Sequence, residues 1–128
     1  MKALDADDLH PPFAAYSHAV VAGDVLVTSG QLAVSPEGDV PESAEAQARL
    51  ILANIDALLA TGGMGRADVM RLNAYVTARE HMAGYMAARD EWVAGLDPLP
   101  ASTLMIVSGF TRPEFKVEIE ALALRRRS

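Results

Sequence analysis

The sequence predicts a single α+β domain over residues 1–128, in which two helices cover one face of a mixed β-sheet. Three observations predict it. Two β-branched runs flank a Gly-Asp turn, a long segment after residue 43 has helical periodicity, and the later strands carry alternating or fully apolar patterns. The order of elements is β-β-α-β-α-β-β. The chain is 51% hydrophobic, enough for one core.

The first elements are an arm and a hairpin. Residues 1–15, with Pro11 and Pro12, predict a loosely held arm. Residues 19–29 read as two strands around Gly23 and Asp24, and Gly30 ends the second strand. The hairpin therefore supplies the first two strands of the sheet.

A helix is predicted from the capping residue Ser43 to Thr61, because apolar residues recur there at spacings of three and four. These residues are Leu50, Ile51, Ile55, Leu58 and Leu59. Gly62 and Gly63 follow, as expected at the end of a helix.

A strand over 68–77 and a second helix over about 80–94 come next. In the strand, alternation predicts that the even-numbered residues share one face, namely Met70, Leu72, Ala74 and Val76. The opposite face then carries Val69, Arg71, Asn73 and Tyr75.

The last third contains two strands, over about 102–107 and 115–124. In the first of them both faces are apolar, with Leu104 and Ile106 on one and Met105 and Val107 on the other. Two helices cover one face, so something else must cover the second. Another copy of the chain is one candidate, and a loop or the amino-terminal arm folding over it is the other.

Composition excludes several classes of function. The chain has no cysteine, and its three histidines lack metal-ligand spacing, so no metal is predicted. The net charge of −6 argues against a nucleic-acid partner, although Arg125, Arg126 and Arg127 form a basic cluster, interpreted as a solvated tail. No apolar run resembles a signal peptide or membrane span, so a cytoplasmic protein without a membrane partner is expected.

Four segments together resemble the YjgF/RidA family. They read Ala-Tyr-Ser-His-Ala at 15–19, Thr-Ser-Gly-Gln at 28–31, a glutamine-led helix from Gln47 to Gly63 with Asn54 within it, and Val-Glu-Ile-Glu-Ala at 117–121. The resemblance covers nearly the whole chain. It implies a chorismate-mutase-like fold, a homotrimer with small-molecule sites between subunits, and hydrolysis of reactive imines or enamines without a cofactor.

The resemblance also exposes a departure. The family binds the substrate carboxylate with an arginine in a Pro-Ala-Arg-Ser/Thr segment, and here Ser102 occupies that position, followed by Thr103. A serine cannot neutralise a carboxylate. Candidate replacement cations are Arg71, Arg89, Arg112 and Lys116, each of which is otherwise an ordinary surface charge. By position, Tyr85 stands where the family often has a cleft asparagine.

Glu118 matches the family's cleft glutamate, which is implied to orient the attacking water. Alternation places Glu118 and Glu120 on one face, and the alternative for either is an ion pair with Lys116 or an arginine across the trimer. Tyr16 either lines the cleft or anchors the arm. Gly30 either allows a close backbone approach, so that its N–H group or a neighbour's binds an anion, or simply ends a strand.

Two functions remain in view. The first is a hydrolase of imines or enamines, in which Glu118 holds water, Ser102 and Thr103 form a polar wall, and Tyr16 and Tyr85 shape the pocket. A non-standard substrate is considered for this hydrolase, because Ser102 replaces the arginine. The alternative is a non-catalytic trimer that binds a small metabolite or a protein. A ribonuclease is disfavoured by the acidic balance.

Overall fold

The structure, a computed structural model, describes residues 1–126, so Arg127 of the basic cluster lies outside the described residues. Its strands are β1 (Lys2–Leu4), β2 (Ala19–Ala22), β3 (Val25–Thr28), β4 (Gln31–Leu32), β5 (Val69–Val76), β6 (Ala101–Ile106) and β7 (Val117–Leu124). The helices are α1 (Ala44–Thr61) and α2 (Met82–Trp92), and short 3₁₀ turns cover Arg66–Asp68 and Arg79–His81. No helix within residues 1–126 has the length and apolar character that crossing a bilayer demands.

One mixed sheet carries the domain, with strands in the order β1-β2-β3-β7-β5-β6 and β4 also paired to β7. Strands β5 and β6 run parallel, joined through α2, and the other pairings are antiparallel. Both helices pack together on the same face, which confirms the predicted α+β class. Strand β6 is left at one edge of the sheet.

Helix α1 has the predicted bounds and the predicted cap. The Ser43 hydroxyl accepts a hydrogen bond from the Ala46 amide at 3.0 Å, and Gly62 ends the helix. The buried stripe includes Ile51, Ile55 and Leu58, each without solvent exposure. These side chains pack on the inner face of the sheet and form the centre of the core.

Gln47, which opens the buried stripe of α1, ties the helix to two loops. Its amide nitrogen donates to the carbonyl oxygens of Pro41 at 2.8 Å and Glu114 at 2.9 Å, while its oxygen accepts from the Lys116 amide at 2.8 Å. The hydrogen bonds of this buried amide to three backbone groups thus serve to hold the structure together. Gln47 therefore positions the start of β7, and with it Glu118.

The predicted alternation in β5 is wrong at its beginning. Val69 is buried, while Met70 is 52% exposed and Arg71 is also exposed. The register against β7 shifts between Val69 and Arg71, which marks a β-bulge. The extra residue restores alternation from Leu72 onward, so that Arg71, Asn73 and Tyr75 face away from the helices as expected.

The amino-terminal arm is more ordered than predicted. Lys2–Leu4 forms β1 against β2, and Leu4 and Leu9 are buried with the core. Arg125 is not a solvated tail either, because its guanidinium donates to the carbonyl oxygens of Gly62 and Gly63. The arm thus extends the sheet at one edge and packs on the core, while apolar side chains on the other face remain exposed. These are Val25, Val27, Met105 and Leu124.

We define the open sheet face as the side of the sheet turned away from the two helices. Its apolar members surround a polar patch on β5 and β7, where Tyr75 and Asn73 hydrogen-bond Glu120. A single chain leaves the apolar side chains of this face exposed, which is unusual for a monomer. The arm pairs with β2 at the sheet edge and borders this face only beside Glu118.

Candidate functional site

One cavity joins three of the residues selected from the sequence. Tyr16, Gly30 and Glu118 border a depression of about 310 Å³. The remaining wall comes from the arm, from the segment around β4 and from the loop between β6 and β7, through Phe13, Ala14, Ser29, Leu32 and Thr111. A cavity of this size is at the small end of ligand pockets. We call it the Glu118 cavity.

Pairing of β4 with β7 explains how Gly30 reaches Glu118. Leu32 lies opposite Glu118 and Gln31 opposite Ile119, so the chain before β4 passes directly over the Glu118 side chain. A β-carbon at position 30 would stand 2.5 Å from the Glu118 Oε1 atom. Glycine is therefore required for this close approach, which is more than the end of a strand demands.

Glu118 occupies an environment that favours its neutral form. Burial raises the pKa of its carboxyl group, and the negative charge of Glu120 raises it further. Within residues 1–126, the carboxyl makes no hydrogen bond and no ion pair. Within the single chain, the Lys116 ammonium does not pair with Glu118, since it donates to the Glu42 carbonyl. Glu118 thus has acceptor capacity that the described chain leaves unused.

Glu120, two residues further on, is used differently. Its Oε1 atom accepts from the Tyr75 hydroxyl at 2.9 Å and from the Asn73 amide at 3.3 Å. The hydrogen bond to Glu120 raises the pKa of Tyr75, with smaller contributions from burial and from both glutamates. The two carboxylates share the open sheet face as predicted, and Glu120 has hydrogen-bonding partners there where Glu118 has none.

Tyr16 combines the two roles that the sequence left open. Its ring lines the Glu118 cavity and is 40% exposed, while its hydroxyl accepts a hydrogen bond from the Phe13 amide at 3.2 Å. His18 is buried, and its Nε2 lies 2.7 Å from the His10 carbonyl oxygen. These contacts hold the arm against the hairpin and keep Tyr16 at the cavity.

Ser102 and Thr103 do not form one polar wall, contrary to the prediction. Ser102 lies opposite the buried Leu72, so it faces the helices, whereas Thr103 lies opposite Asn73 on the open sheet face. Consecutive residues of a strand point to opposite sides. The Thr103 hydroxyl accepts from Arg71 at 3.1 Å. The two hydroxyls thus belong to separate surfaces.

Ser102 has a cation and an aromatic ring as neighbours. The Arg89 Nη1 atom lies 3.4 Å from the Ser102 hydroxyl, and the Arg89 guanidinium lies 5.6 Å from the centre of the Tyr85 ring. Tyr85 has no solvent exposure, so it supports this group from beneath and does not line an open surface in the single chain. Burial raises the pKa of Tyr85, and Ser102 and Arg89 oppose that shift. We call Ser102 and Arg89 the β6 edge site.

The Glu118 cavity and the β6 edge site lie apart within one chain. Strand β5 separates β7 from β6, and Glu118 faces the open side while Ser102 faces the helices. Along β5, Glu118 lies opposite Tyr75 and Ser102 opposite Leu72. Because the sheet itself lies between the two groups, they do not hold the same small molecule within one subunit.

Phe13, Leu32 and Thr111 line the Glu118 cavity and were not selected from the sequence. Phe13 belongs to the arm and Thr111 to the loop between β6 and β7. Neither segment has a period that predicts the direction of a side chain. A chemical signal was also missing, because these side chains carry no titratable group.

A profile of the endoribonuclease L-PSP family matches residues 8–125. This chain belongs to that family. The family is the one named YjgF/RidA in the sequence analysis, which confirms the resemblance. The match spans both the Glu118 cavity and the β6 edge site.

Relatives of this L-PSP family chain agree with the assignment. The 2-iminobutanoate/2-iminopropanoate deaminase of Escherichia coli strain K12 is 31% identical over 113 residues, which cover 87% of this chain and 88% of the relative. The structure of the YjgF gene product of E. coli superposes with a TM-score of 0.91 at 28% identity, covering 98% of this chain and 100% of that one. The name of the 31% identical relative thus describes an imine deaminase.

A second solved structure carries a ligand. It is E. coli TdcF with bound serine, with a TM-score of 0.91 at 25% identity, covering 98% of this chain and 100% of that one. Both superpositions confirm the predicted fold of two helices on a mixed sheet.

Proposed function

We propose that this protein is a homotrimeric hydrolase that converts reactive imines, and the enamines in equilibrium with them, to carbonyl compounds and ammonia. The observation that carries the proposal is the Glu118 carboxyl group. It is partly buried, has a raised pKa, is unpaired within residues 1–126, and borders a cavity with Tyr16 and Gly30. A perturbed carboxyl group in a cleft is typical of acid–base chemistry. The names of the curated relatives support the reaction class.

The reaction requires one water molecule and internal proton transfers. The Glu118 carboxylate accepts a proton from water as the water oxygen adds to the C=N carbon, and it passes that proton to the imine nitrogen, giving a neutral carbinolamine. Glu118 then accepts the proton of the carbinolamine hydroxyl group as the C=O bond forms and delivers it to the departing nitrogen, so that the C–N bond breaks and ammonia leaves. The sum is imine plus water giving carbonyl compound plus ammonia, and no metal or organic cofactor is needed. A pKa above the usual glutamate range suits a group that first accepts and then donates a proton.

Assembly is part of the proposal, because each chain presents two separated parts of a site. The exposed apolar side chains of the open sheet face supply a surface for other copies, with Val27, Met105 and Leu124 among them. Strand β6 is an edge strand, so its Ser102 side is accessible to a neighbour. We place the β6 edge site of one subunit against the Glu118 cavity of the next, which closes a pocket with groups from two chains.

A direct assay tests the proposed reaction. We would generate 2-iminopropionate in situ with an amino acid oxidase and follow ammonia release with and without the protein, and repeat it with an uncharged imine. Acceleration above the uncatalysed rate is the expected result. If neither substrate reacts faster while small carboxylates still bind, the protein is the non-catalytic binding module considered in the sequence analysis.

Gly30→Ala is expected to lower kcat by roughly 10-fold with a smaller effect on thermal stability. The added β-carbon would stand 2.5 Å from Oε1 of Glu118, so the carboxyl group must move away from its place in the cavity. The measurement is steady-state imine hydrolysis together with a melting curve. Gly65→Ala is the matched control, because a β-carbon there meets no atom within 4 Å. Equal kcat for the two variants would contradict the positioning role of Gly30.

A further inference from the structure

We propose that Arg89 binds the substrate carboxylate in the proposed pocket, beside Ser102. This inference rests on the proposed function. It names the residue of that pocket that recognises a carboxylate, and it places that residue on α2, whereas the sequence resemblance implies one on β6.

The position of the guanidinium carries the inference. Nη1 of Arg89 lies 3.4 Å from the Ser102 hydroxyl, so the positive charge sits beside the position where the side chain is truncated. Arg89 follows Tyr85 by one helical turn, and its guanidinium lies over the Tyr85 ring. Its side chain is 24% exposed, which leaves it held in one place yet reachable by a ligand.

The donors of Arg89 are only partly used. Its Nε and Nη2 atoms both donate to Oδ1 of Asp90, at 3.1 and 2.9 Å, and Nη1 donates to Ser102. Five N–H groups are present in a guanidinium, so two remain unused by residues 1–126. The Nη1 and Nη2 groups can therefore donate two parallel hydrogen bonds to one carboxylate, and the Ser102 hydroxyl can donate a third.

The other candidate cations are committed elsewhere. Arg71 donates to Asn73 and Thr103 on the open sheet face. Arg112 pairs with Glu114 through two hydrogen bonds, and Lys116 donates to the Glu42 carbonyl. Of the four cations considered from the sequence, Arg89 is the one that stands at Ser102.

Asp90 is the competitor of the substrate. It is 68% exposed and adjacent in sequence, and it occupies the Nε side of the guanidinium. Removing its charge should strengthen carboxylate binding, whereas removing Arg89 should abolish it. Two neighbouring substitutions are thus expected to change affinity in opposite directions.

The test measures binding and does not depend on turnover. Pyruvate is the charged probe and pyruvamide its neutral counterpart, each titrated against the full-length protein by ligand-observed NMR. Arg89→Ala is expected to weaken pyruvate binding about 20-fold, from the loss of a charge-assisted bidentate contact, and to leave pyruvamide within about 2-fold. Asp90→Asn is expected to tighten pyruvate binding about 3-fold.

Arg49→Ala is the matched control, because Arg49 is also a helical arginine in ion pairs with acids, but it lies away from Ser102. It should bind pyruvate as the unmodified protein does. A double variant, Arg89→Ala with Ser102→Arg, should recover pyruvate binding by moving the guanidinium back to β6. Unchanged pyruvate affinity in Arg89→Ala, or no pyruvate binding by the unmodified protein, would overturn the inference. Absence of imine turnover with intact, Arg89-dependent pyruvate binding would refute the proposed function alone.

Discussion

Glu118→Gln is expected to lower kcat for imine hydrolysis by about 100-fold or more, with KM changed little, because a positioned general base contributes roughly 10²–10⁴ to a rate. Glutamine keeps the size and polarity of the side chain and cannot take a proton from water. The measurement is the ammonia-release assay with 2-iminopropionate over a range of substrate concentrations.

Glu120→Gln is the control for this substitution. Glu120 lies on the same sheet face, and its hydrogen bonds with Tyr75 and Asn73 serve the structure. We expect its kcat to stay within a few-fold of the unmodified protein. A Glu118→Gln protein with full activity would remove the observation on which the proposed reaction depends.

The same carboxyl group sets the sign of two pH effects. Activity requires the ionised form, so kcat/KM should fall as the pH drops through the raised pKa of Glu118, above the usual glutamate range. For stability, the folded protein holds this proton more tightly than the unfolded chain does. Proton binding by Glu118 therefore stabilises the folded protein. This stabilisation is fully present below the pKa of Glu118 in the unfolded chain and is lost as the pH rises through its pKa in the folded protein. Glu118→Gln should therefore raise the melting temperature at neutral pH more than at pH 4.

Val27→Asp is expected to convert the protein to monomers and to reduce activity by at least about 10-fold. Val27 lies opposite Leu122 on the open sheet face and is 39% exposed in the single chain. An aspartate there would place a charge in the proposed interface between copies, at a cost of several kcal/mol. Sedimentation at micromolar concentration and the imine assay on the same sample measure the two effects.

Ala53→Asp is the matched control for the interface variant, since Ala53 is an exposed residue on the helical side of the domain. It should keep both the oligomeric state and the activity of the unmodified protein. Circular dichroism of Val27→Asp separates loss of assembly from loss of folding. A stable, active monomer, whether unmodified or substituted, would contradict the shared pocket.

Local patterns predicted the elements well where a single period dominates. Helix α1 has its Ser43 cap and its glycine end because capping and amphipathicity act within a few residues. The β5 strand shows where this reasoning fails. Its bulge between Val69 and Arg71 depends on register against β7, a strand that comes much later in the chain. Period alone therefore assigned Val69 and Met70 to the wrong faces.

The candidate site divides in the same way. The sequence indicated Glu118, Tyr16 and Gly30 through their segments, and the structure brings all three to one cavity. The sequence analysis also predicted that Ser102 and Thr103 form one polar wall, whereas the strand directs them to opposite faces. Arg89 was one of four candidate cations, and no local pattern could select it, because its neighbour Ser102 lies across the space between a helix and an edge strand.

By itself the sequence determined the family, the two helices with the five main strands, and the residue types available for chemistry, since these follow from composition, period and short segments. The short strands β1 and β4 were not predicted. Only the tertiary structure decided that the Glu118 carboxyl group is unpaired beside Gly30, that Arg89 stands at Ser102, and that these two groups lie on different sides of one sheet. The physical reason is that distances between side chains depend on strand register and helix packing, which join residues far apart in the chain. The electrostatic environment of a side chain, its burial and the groups that it can contact are defined once those distances are fixed.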